Sequence, residues 1–395
     1  MRRMKVAVVG GCGHVGLPLS IALAPHHDVA IYDIDPDAVA KVQKGVVPFK
    51  DEGAEEALAK ALAGGMEVST SPNVLLKCDA VIVVIGTPVD EHLNPSFNVF
   101  DRLLNQLSEV LRPGQTLVLR STVYPGTSER VQRFFQERKL GVEVAFCPER
   151  VAEGVALKEI RTLPQIISGF TDKGLQATRD LFGPIGAELI ELKPLEAELT
   201  KLFNNVYRYI SFAVANQFYM LASEYNLDFY LILHAMKHNY PRAAAMPAPG
   251  FAAGPCLFKD TMQMSAFNNN QFFLGHSAML VNEGLPQFVV NRMRQRWPDL
   301  HTKKVGILGM AFKGESDDTR ESLSYKLKKI LELHANEVMT TDPLVEDAQL
   351  DSEAKVLEQA DILVIGAPHK RYKTLNVGKK PVVDVWNLLG KGGAI

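Results

Sequence analysis

The segment GFAAGPCLFKD, residues 250–260, sets Cys256 among small residues, shortly before Lys259 and Asp260. Such a cysteine is either a small buried hydrophobe or a nucleophile, and in isolation burial is the commoner case. The flanking glycine and the neighbouring charges favour the nucleophile here. A thiolate that adds to an aldehyde makes a tetrahedral adduct, which can lose a hydride to an acceptor and become a thioester. Water then hydrolyses the thioester to a carboxylate.

Two carboxylates, Glu149 and Glu153, stand four residues apart in CPERVAEG, after a predicted strand. Such a pair could supply a general base or position a water molecule. The alternative is two solvated acids.

Three polar residues lie within a long apolar helical pattern, at helical spacing: Lys201, Asn205 and Arg208. Positions i, i+4 and i+7 share one face of a helix, so the three donors could hold an anion or a developing oxyanion. The alternative is a solvated face.

A glycine-rich motif follows the first predicted strand, KVAVVG. Gly11, Gly13 and Gly16 match the pattern GxGxxG, with His14 and Val15 between the last two. The first glycine permits a tight turn, the second lets the backbone approach a pyrophosphate, and the third allows close helix packing. Asp33 ends VAIYD at the distance expected for a ribose-binding carboxylate. The pattern predicts NAD, and the absence of an arginine just after Asp33 disfavours NADP.

Alternation of short β-rich runs with helical stretches predicts the elements that position these residues. KVAVVG, VAIYDID, AVIVVIGTP, TLVLRST and VEVAFCPE indicate one parallel sheet, and KVGILGMAF, EVMTTDP, DILVIGAP and PVVDVW indicate a second. Between them, a pattern of roughly nine turns from Pro194 predicts a long helix. We therefore expect an α/β fold with two Rossmann-like, doubly wound parallel-sheet domains joined by a long central helix and further helices.

Composition narrows the class of protein. With 43 Lys+Arg against 45 Asp+Glu and no basic stripe, nucleic acid is not an expected partner. The first apolar run is too short for a signal peptide and no run spans a membrane, so we expect no membrane partner. Four cysteines without a CxxC pair argue against a bound metal and fit a cytoplasmic location.

The ordered motifs GGCGHVGLP, YDID, IGTP, RSTVYPGT, CPERVAEG, EAELTKLFNNVYR, GPCLFKD, VNE and GMAFKGESDDTRES resemble the UDP-glucose/GDP-mannose dehydrogenase family. The resemblance implies NAD-dependent, four-electron oxidation of C6 of a nucleotide sugar to a carboxylate. It also implies an NAD-binding domain at 1–193, a helical dimerisation domain at 194–297 and a UDP-sugar-binding domain at 298–395. The expected partners are a UDP-sugar substrate and a second copy in a homodimer.

The resemblance also assigns roles. It makes Cys256 the nucleophile, with Lys201 and Asn205 assisting proton transfer and stabilising the oxyanion. Asp260, Thr122 and Glu149 would orient water and handle protons during hydrolysis. The remaining assignments place Thr87, Thr122, Glu153 and Arg320 at the cofactor and Lys313 at the sugar nucleotide.

Substrate choice rests on finer features. PERVAEG, with Arg150 and Val151, is similar to the branch acting on UDP-N-acetylmannosamine and related UDP-N-acetylhexosamines, and Arg208 and Arg242 would then also contact substrate. Departures from that branch at Tyr240, Phe251 and Ala253, and the E-G ending of PERVAEG, leave UDP-glucose open. The chain could also be a catalytically inactive sugar-nucleotide-binding protein or a two-electron hydroxyacid dehydrogenase. A hydroxyacid dehydrogenase, however, has no need of a positioned thiol.

Overall fold

The computed structural model describes residues 3–86, 97–252, 254 and 256–393. The chain divides into two compact units, Met1–Asn204 and Asn205–Ile395. The domain boundaries expected after residues 193 and 297 stay predictions. None of the helices among the described residues has the length and apolar composition needed to span a bilayer.

The first unit is built on a six-stranded parallel sheet in the order β3-β2-β1-β4-β5-β6. Its strands are β1 (Lys5–Val9), β2 (Asp28–Tyr32), β3 (Glu67–Ser69), β4 (Ala80–Val83), β5 (Thr116–Leu119) and β6 (Glu143–Phe146). The order reverses between β1 and β4, and this reversal opens a ligand-binding crevice at the carboxyl ends of the strands.

Helices cover both faces of this sheet. They are α1 (Gly16–Leu23), α2 (Pro36–Gln43), α3 (Ala54–Ala63), α4 (Phe97–Val110), α5 (Thr127–Glu137), α6 (Ala156–Thr162) and α7 (Asp172–Phe182). Side chains of β1 alternate between two cores, with Val6 and Val8 in one and Ala7 and Val9 in the other. Burial on both faces explains why these strands are continuous apolar runs.

A separate parallel pair, β7 (Gln165–Ile167) and β8 (Leu189–Glu191), completes the first unit. The sequence patterns predict neither strand, nor β3. Each is three residues long, which is too short for a strand period to emerge from the sequence.

The long helix is confirmed as α8 (Pro194–Glu224), which has 31 residues and runs through the boundary between the units. Proline is tolerated at its first position, where no N–H is needed. The other helices of the second unit are α9 (Phe229–Lys237), α10 (Leu257–Phe267), α11 (Phe273–Arg296), α12 (Leu323–Glu332) and α13 (Glu353–Gln359).

The second unit has its own parallel sheet in the order β10-β9-β11-β12. The strands are β9 (Lys304–Leu308), β10 (Glu337–Thr341), β11 (Ile362–Ile365) and β12 (Val382–Val383). The order again reverses beside the first strand, so β9 and β11 flank a second crevice. Both predicted sheets, and with them the α/β fold class, are confirmed.

Candidate active site

The loop after β1 makes its tight turn at Gly10, one residue before the predicted motif. Gly10 has φ +74°, and a Cβ there would lie 2.2 Å from the Val84 carbonyl oxygen. Gly11, expected to provide the turn, has a different constraint, because its Cβ would lie 2.7 Å from Cγ2 of Ile31. The turn and the close packing are therefore divided between two adjacent glycines.

The other two motif glycines differ in what surrounds them. A Cβ at Gly16 would lie 2.4 Å from the Gly10 carbonyl oxygen, so the start of α1 packs directly on the loop, as predicted. At Gly13, which is exposed, the nearest atom to a Cβ is 3.8 Å away. Packing within the protein therefore does not require glycine at 13, and its bare backbone is open to approach by a ligand.

Asp33 follows β2 and is half-buried beside this loop. Its Oδ2 accepts a 3.0 Å hydrogen bond from the backbone N–H of Cys12, and its Oδ1 accepts a 3.1 Å bond from that of Asp35. These bonds fix the carboxylate at the carboxyl end of the sheet, where a ribose-binding acid is expected.

Two further cofactor candidates lie on the same loop. The His14 ring is 4.3 Å from the ring of Phe49, centroid to centroid, and Val15 is the N-cap residue of α1.

Thr122, another cofactor candidate, follows β5 and is half-buried. Thr87, predicted to lie after β4, falls outside the described residues.

Glu149 forms a buried ion pair that was not predicted from the sequence. Arg120, 1% exposed, donates from Nε to Oε2 of Glu149 at 2.9 Å and makes a second, short bond to the same oxygen from its terminal nitrogen. The guanidinium also donates to the Cys147 carbonyl at 3.1 Å and to Oε1 of Gln165 at 2.9 Å. One carboxylate oxygen of Glu149 is thus fully engaged.

The second carboxylate oxygen of Glu149 accepts hydrogen bonds from the turn that follows it. Oε1 of Glu149 accepts backbone N–H bonds from Arg150 at 2.7 Å and from Val151 at 3.1 Å. The Arg150 guanidinium donates to the carbonyl of Pro164. Glu149 therefore orders the PERVAEG segment, and it would have to leave these donors to take a proton. The half-buried Glu153 lies on the same segment.

In the second unit, Cys256 is the N-cap residue of α10 and is exposed, so it is not the buried hydrophobe that the sequence left open. The other three cysteines are buried. Burial, with help from nearby carboxylates, raises the pKa of Cys12 to about 12 and that of Cys78 to about 11. Burial alone raises the pKa of Cys147 to about 12. These three thiols are therefore unsuited to nucleophilic chemistry near neutrality.

One turn into α10, Asp260 is fully buried between an amide donor and an ammonium group. Nδ2 of Asn205 donates to its Oδ2 at 2.6 Å, and Nζ of Lys259 lies 3.0 Å from its Oδ1. The backbone N–H of Asp260 donates to the Cys256 carbonyl at 2.9 Å. The structure therefore joins Asn205, Asp260 and Cys256 through these hydrogen bonds.

The remaining candidate side chains differ in their exposure to solvent. Lys201 is half-buried on α8, whereas Arg208 on the same helix is exposed. Arg242 is also exposed, with its guanidinium carbon 5.9 Å from the Tyr240 ring centroid. Arg320 forms a forked pair with Asp318, at 3.0 Å from Nε to each carboxylate oxygen.

Lys313 lies half-buried on the loop after β9, which a buried His–Asp pair supports. Nε2 of His369 lies 3.1 Å from Oδ2 of Asp342, and Nδ1 of His369 accepts the backbone N–H of Glu315 at 3.1 Å. Burial opposes ionisation of Asp342, but hydrogen bonds from His369 and the backbone lower its pKa to about 2. Among the described residues, no cluster of histidine, cysteine and acidic side chains could hold a metal ion.

Three profile models of one family cover most of the chain. The NAD binding domain of the UDP-glucose/GDP-mannose dehydrogenase family matches residues 4–185, its central domain residues 195–283 and its UDP binding domain residues 306–391. The chain belongs to this family.

Curated relatives and solved structures agree with this assignment. UDP-N-acetyl-D-mannosamine dehydrogenase of Pyrococcus horikoshii is 30% identical over 98% of this chain and 96% of its own length. Its structure has a TM-score of 0.91 at 29% identity, covering 98% of this chain and 96% of that one. A UDP-glucose dehydrogenase structure from Pyrobaculum islandicum has a TM-score of 0.90 at 26% identity, covering 97% of this chain and 94% of that one.

The protein is thus an NAD-dependent nucleotide-sugar dehydrogenase, as predicted. Its first loop fits the cofactor, because Gly13 leaves backbone open, Gly16 brings the start of α1 close and Asp33 supplies an oriented carboxylate. NAD supplies the hydride acceptor for the oxidation.

The partners that hold the candidate groups of this dehydrogenase, including Arg120 and His369, were not predicted from the sequence. A signal existed for Arg120, which follows a buried strand directly in RSTVYPGT. A second signal was Asp342, which follows β10 just as Asp33 follows β2. Both carboxylates accept backbone bonds from the loop after the neighbouring strand.

Proposed function

We propose that this dehydrogenase oxidises C6 of a UDP-N-acetylhexosamine, of the UDP-N-acetylmannosamine type, to the uronate through a thioester on Cys256. The observation that carries the proposal is the setting of Cys256. It is the exposed cysteine of the four and stands at the N-terminus of α10, where a negative charge is stabilised by the helix dipole.

The reaction proceeds in three stages. The C6 alcohol first loses a proton and a hydride and becomes an aldehyde. The Cys256 thiolate then adds to the aldehyde carbon, and the thiohemiacetal becomes a thioester when it loses its hydroxyl proton and a second hydride. Water finally breaks the C–S bond, which regenerates the thiolate and yields the carboxylate. Each sugar nucleotide thus consumes one water and two NAD.

Polar side chains serve the proton transfers in this proposal. Lys201 and Asn205 assist deprotonation of the alcohol and stabilise the oxyanion of the tetrahedral adducts. Asp260 orients the Asn205 amide through their short hydrogen bond, and Lys259 balances its charge. Thr122 positions the hydrolytic water.

The proposed role of Glu149 follows from its ion pair with Arg120. Since both of its carboxylate oxygens accept hydrogen bonds, we infer that it orients water and the PERVAEG segment, and that proton uptake requires it to release a donor. His14, Val15, Thr87, Glu153 and Arg320 stay proposed cofactor contacts.

Support for the N-acetylhexosamine comes from the relatives named for UDP-N-acetyl-D-mannosamine and from the arginines. Arg150, Val151, Arg208 and Arg242 are the proposed sugar contacts, and Lys313 the proposed contact to the nucleotide. The Pyrobaculum islandicum UDP-glucose dehydrogenase, with nearly the same TM-score, favours UDP-glucose as the second candidate. An inactive binding protein is disfavoured by the presence of all six proposed catalytic groups.

We further propose a homodimer built on the helical region. Exposed large apolar residues recur along α8 at spacings of seven, four and three, at Tyr207, Val214, Phe218 and Leu221, and continue at Tyr225, directly after the helix. This spacing places the four helical residues on one stripe of α8, and Tyr225 extends that stripe. An exposed apolar stripe of this extent is typical of an association surface, and a second copy would bury it.

A substrate panel tests the reaction. Incubate the protein with NAD and UDP-N-acetylmannosamine, UDP-N-acetylglucosamine or UDP-glucose, and compare NADH absorbance with the amount of product. We expect about two NADH per uronate, and the highest kcat/KM for UDP-N-acetylmannosamine. A ratio near one with an aldehyde or ketone product would contradict the double oxidation, and preference for UDP-glucose would overturn the substrate assignment alone.

A further inference from the structure

Loop residues that precede Cys256 are held to α8 by a buried amide. Oδ1 of Asn216 accepts the backbone N–H of Gly250 at 2.8 Å, and its Nδ2 donates to the Gly250 carbonyl at 3.0 Å. The same Nδ2 donates to Oδ1 of Asn282 at 2.9 Å, and Asn282 in turn donates to the Tyr209 carbonyl at 3.0 Å. Both polar groups of the Gly250 backbone are therefore fixed.

The Trp386 ring covers the same glycine. A Cβ at Gly250 would lie 2.1 Å from Cζ3 of Trp386, so the ring rests directly on the backbone. Phe251 packs against Trp386 edge-on, with centroids 6.2 Å apart and planes at 88°. Phe251, where the sequence departs from the N-acetylmannosamine branch, thus has an aromatic partner 135 positions later in the chain.

Trp386 is itself anchored at the carboxyl edge of the second sheet. Its Nε1 donates to the Gly366 carbonyl, just after β11, at 3.2 Å. The preceding residue, Val385, accepts a 2.7 Å hydrogen bond from the Tyr230 hydroxyl at its carbonyl. The ring is therefore held at one end by the edge of the sheet where ligands bind in such folds.

A second aromatic residue of the UDP-binding domain contacts the loop at Gly254, two positions before Cys256 in the sequence. Phe312 packs on Gly254, where a Cβ would lie 2.6 Å from its Cδ2. Gly254 also has φ +102°, so both the space and the backbone conformation demand glycine. Lys313, the proposed nucleotide contact, is the next residue after Phe312, and its Nζ lies 5.5 Å from the Phe312 ring centroid.

We propose that Trp386 and Phe312 are positioning residues for Cys256, which tie the loop before the thiol to the sugar-nucleotide-binding domain. Nucleotide binding beside Lys313 then orders the loop through Phe312. Trp386 fixes the position of Gly250, where the loop begins. Neither ring takes part in bond making. The inference rests on the proposed function, because the thiol is what is being positioned.

Hydrogen exchange, followed by mass spectrometry on the peptide spanning 250–256, tests the anchoring without turnover. In Trp386→Leu we expect exchange at least fivefold faster in that peptide. Trp386→Phe, which keeps a ring on Gly250, should recover most of the protection. The matched control is Trp297→Leu, because Trp297 is also half-buried and packs on the same core. It should leave exchange of the peptide within twofold of wild type.

UDP itself serves as the probe for coupling. Saturating UDP should slow exchange of the 250–256 peptide in the wild type, and Phe312→Leu should abolish that slowing. In the turnover assay, Trp386→Leu should lower kcat at least tenfold and leave the KM for NAD within twofold. If Trp386→Leu does not fold, Phe251→Leu replaces it, with a smaller rise in exchange expected.

Unchanged exchange in Trp386→Leu, or in Phe251→Leu where that replaces it, would overturn the role of Trp386. Absence of a UDP effect in the wild type, or its persistence in Phe312→Leu, would overturn the coupling. Absence of NADH production from any UDP-sugar by the wild type would instead overturn the proposed function, since the exchange measurements need no reaction.

Discussion

The Asn205 amide donates from Nδ2 to Oδ2 of Asp260 at 2.6 Å, and both side chains are buried although they lie 55 positions apart. A buried carboxylate needs such donors, and Lys259 supplies the compensating charge. Asp260 thereby fixes which way the Asn205 amide faces, one turn along α10 from the thiol. Asp260 therefore orders the Asn205 amide, which the proposed mechanism uses to stabilise the oxyanion.

Asp260→Asn should lower both activity and stability. The change removes the charge that balances Lys259, whose side chain is only 17% exposed, and leaves Asn205 facing an amide. We expect a loss of about 1–3 kcal/mol in the free energy of unfolding and a kcat at least tenfold lower. Urea denaturation and NADH absorbance measure the two effects.

The control for this variant is Asp299→Asn, which breaks the exposed pair with Lys303. It should leave both the free energy of unfolding and kcat close to their wild-type values, because exposed ion pairs contribute little to stability. Wild-type kcat in Asp260→Asn would exclude Asp260 from the mechanism.

Arg120→Gln should be among the most destabilising single changes in the first unit. It leaves Glu149 buried without its guanidinium, and losing one partner of a buried pair costs about 3–5 kcal/mol. Arg130→Gln is the matched control, because its partner Asp101 and the arginine itself are 40% and 46% exposed. Equal urea midpoints for the two variants would show that the buried pair contributes no more than a surface pair.

Iodoacetamide should modify one cysteine of the native protein. At pH 8 the thiols of Cys12, Cys78 and Cys147 stay protonated, because their pKa values are raised to about 12, 11 and 12 and only the thiolate reacts. Peptide mapping should find the label at Cys256, and at all four after denaturation. Native labelling of Cys147 at a comparable rate would contradict its burial.

Cys256→Ser should lower uronate formation at least a thousandfold, because a serine hydroxyl is a far weaker nucleophile than a thiolate. Cys78→Ser is the control and should keep at least half of the wild-type kcat. Retained uronate formation in Cys256→Ser would remove the thioester from the mechanism.

Asp342→Asn should change how stability depends on pH. The pKa of Asp342 is lowered from its ordinary value of 3.8 to about 2, so the folded state favours the carboxylate. This stabilisation of about 2 kcal/mol is present above pH 4 and is lost as the pH falls from 4 to 2. Urea midpoints at pH 7, 4 and 2.5 should show the loss in the wild type and a shallower acid dependence in the variant.

Asp361→Asn provides the comparison, since this exposed carboxylate accepts one backbone bond, from Lys304 at 2.8 Å. It should keep the acid dependence of the wild type. An equally steep acid dependence in Asp342→Asn would mean that other carboxylates cause the loss of stability at low pH.

Leu221→Glu combined with Tyr225→Glu should dissociate the proposed dimer, because burying a charge at the end of this apolar stripe is strongly unfavourable. Light scattering should give twice the chain mass of 43.6 kDa for the wild type and a single chain mass for the variant. Leu333→Glu, at a position 78% exposed beyond α12, is the control and should keep the wild-type mass. A wild-type monomer would overturn the dimer.

Local patterns were sufficient to predict the two sheets, the long helix and the GxGxxG loop. Strand and helix periods and glycine spacing report which face of a short segment is buried, and that information lies within a few residues. Gly10 shows the limit, because the space around it is set by Val84, which follows the neighbouring strand β4 and lies outside the motif.

Partners across the chain could not be read from those patterns. Arg120 meets Glu149 because β5 and β6 are adjacent, Asn205 on α8 meets Asp260 on α10, and Trp386, which follows β12, rests on Gly250. Each contact joins residues whose types are compatible with many other partners. Only the order of the strands and the burial of both side chains select the pair, because an ion or an amide removed from water must meet the donor that the fold places there.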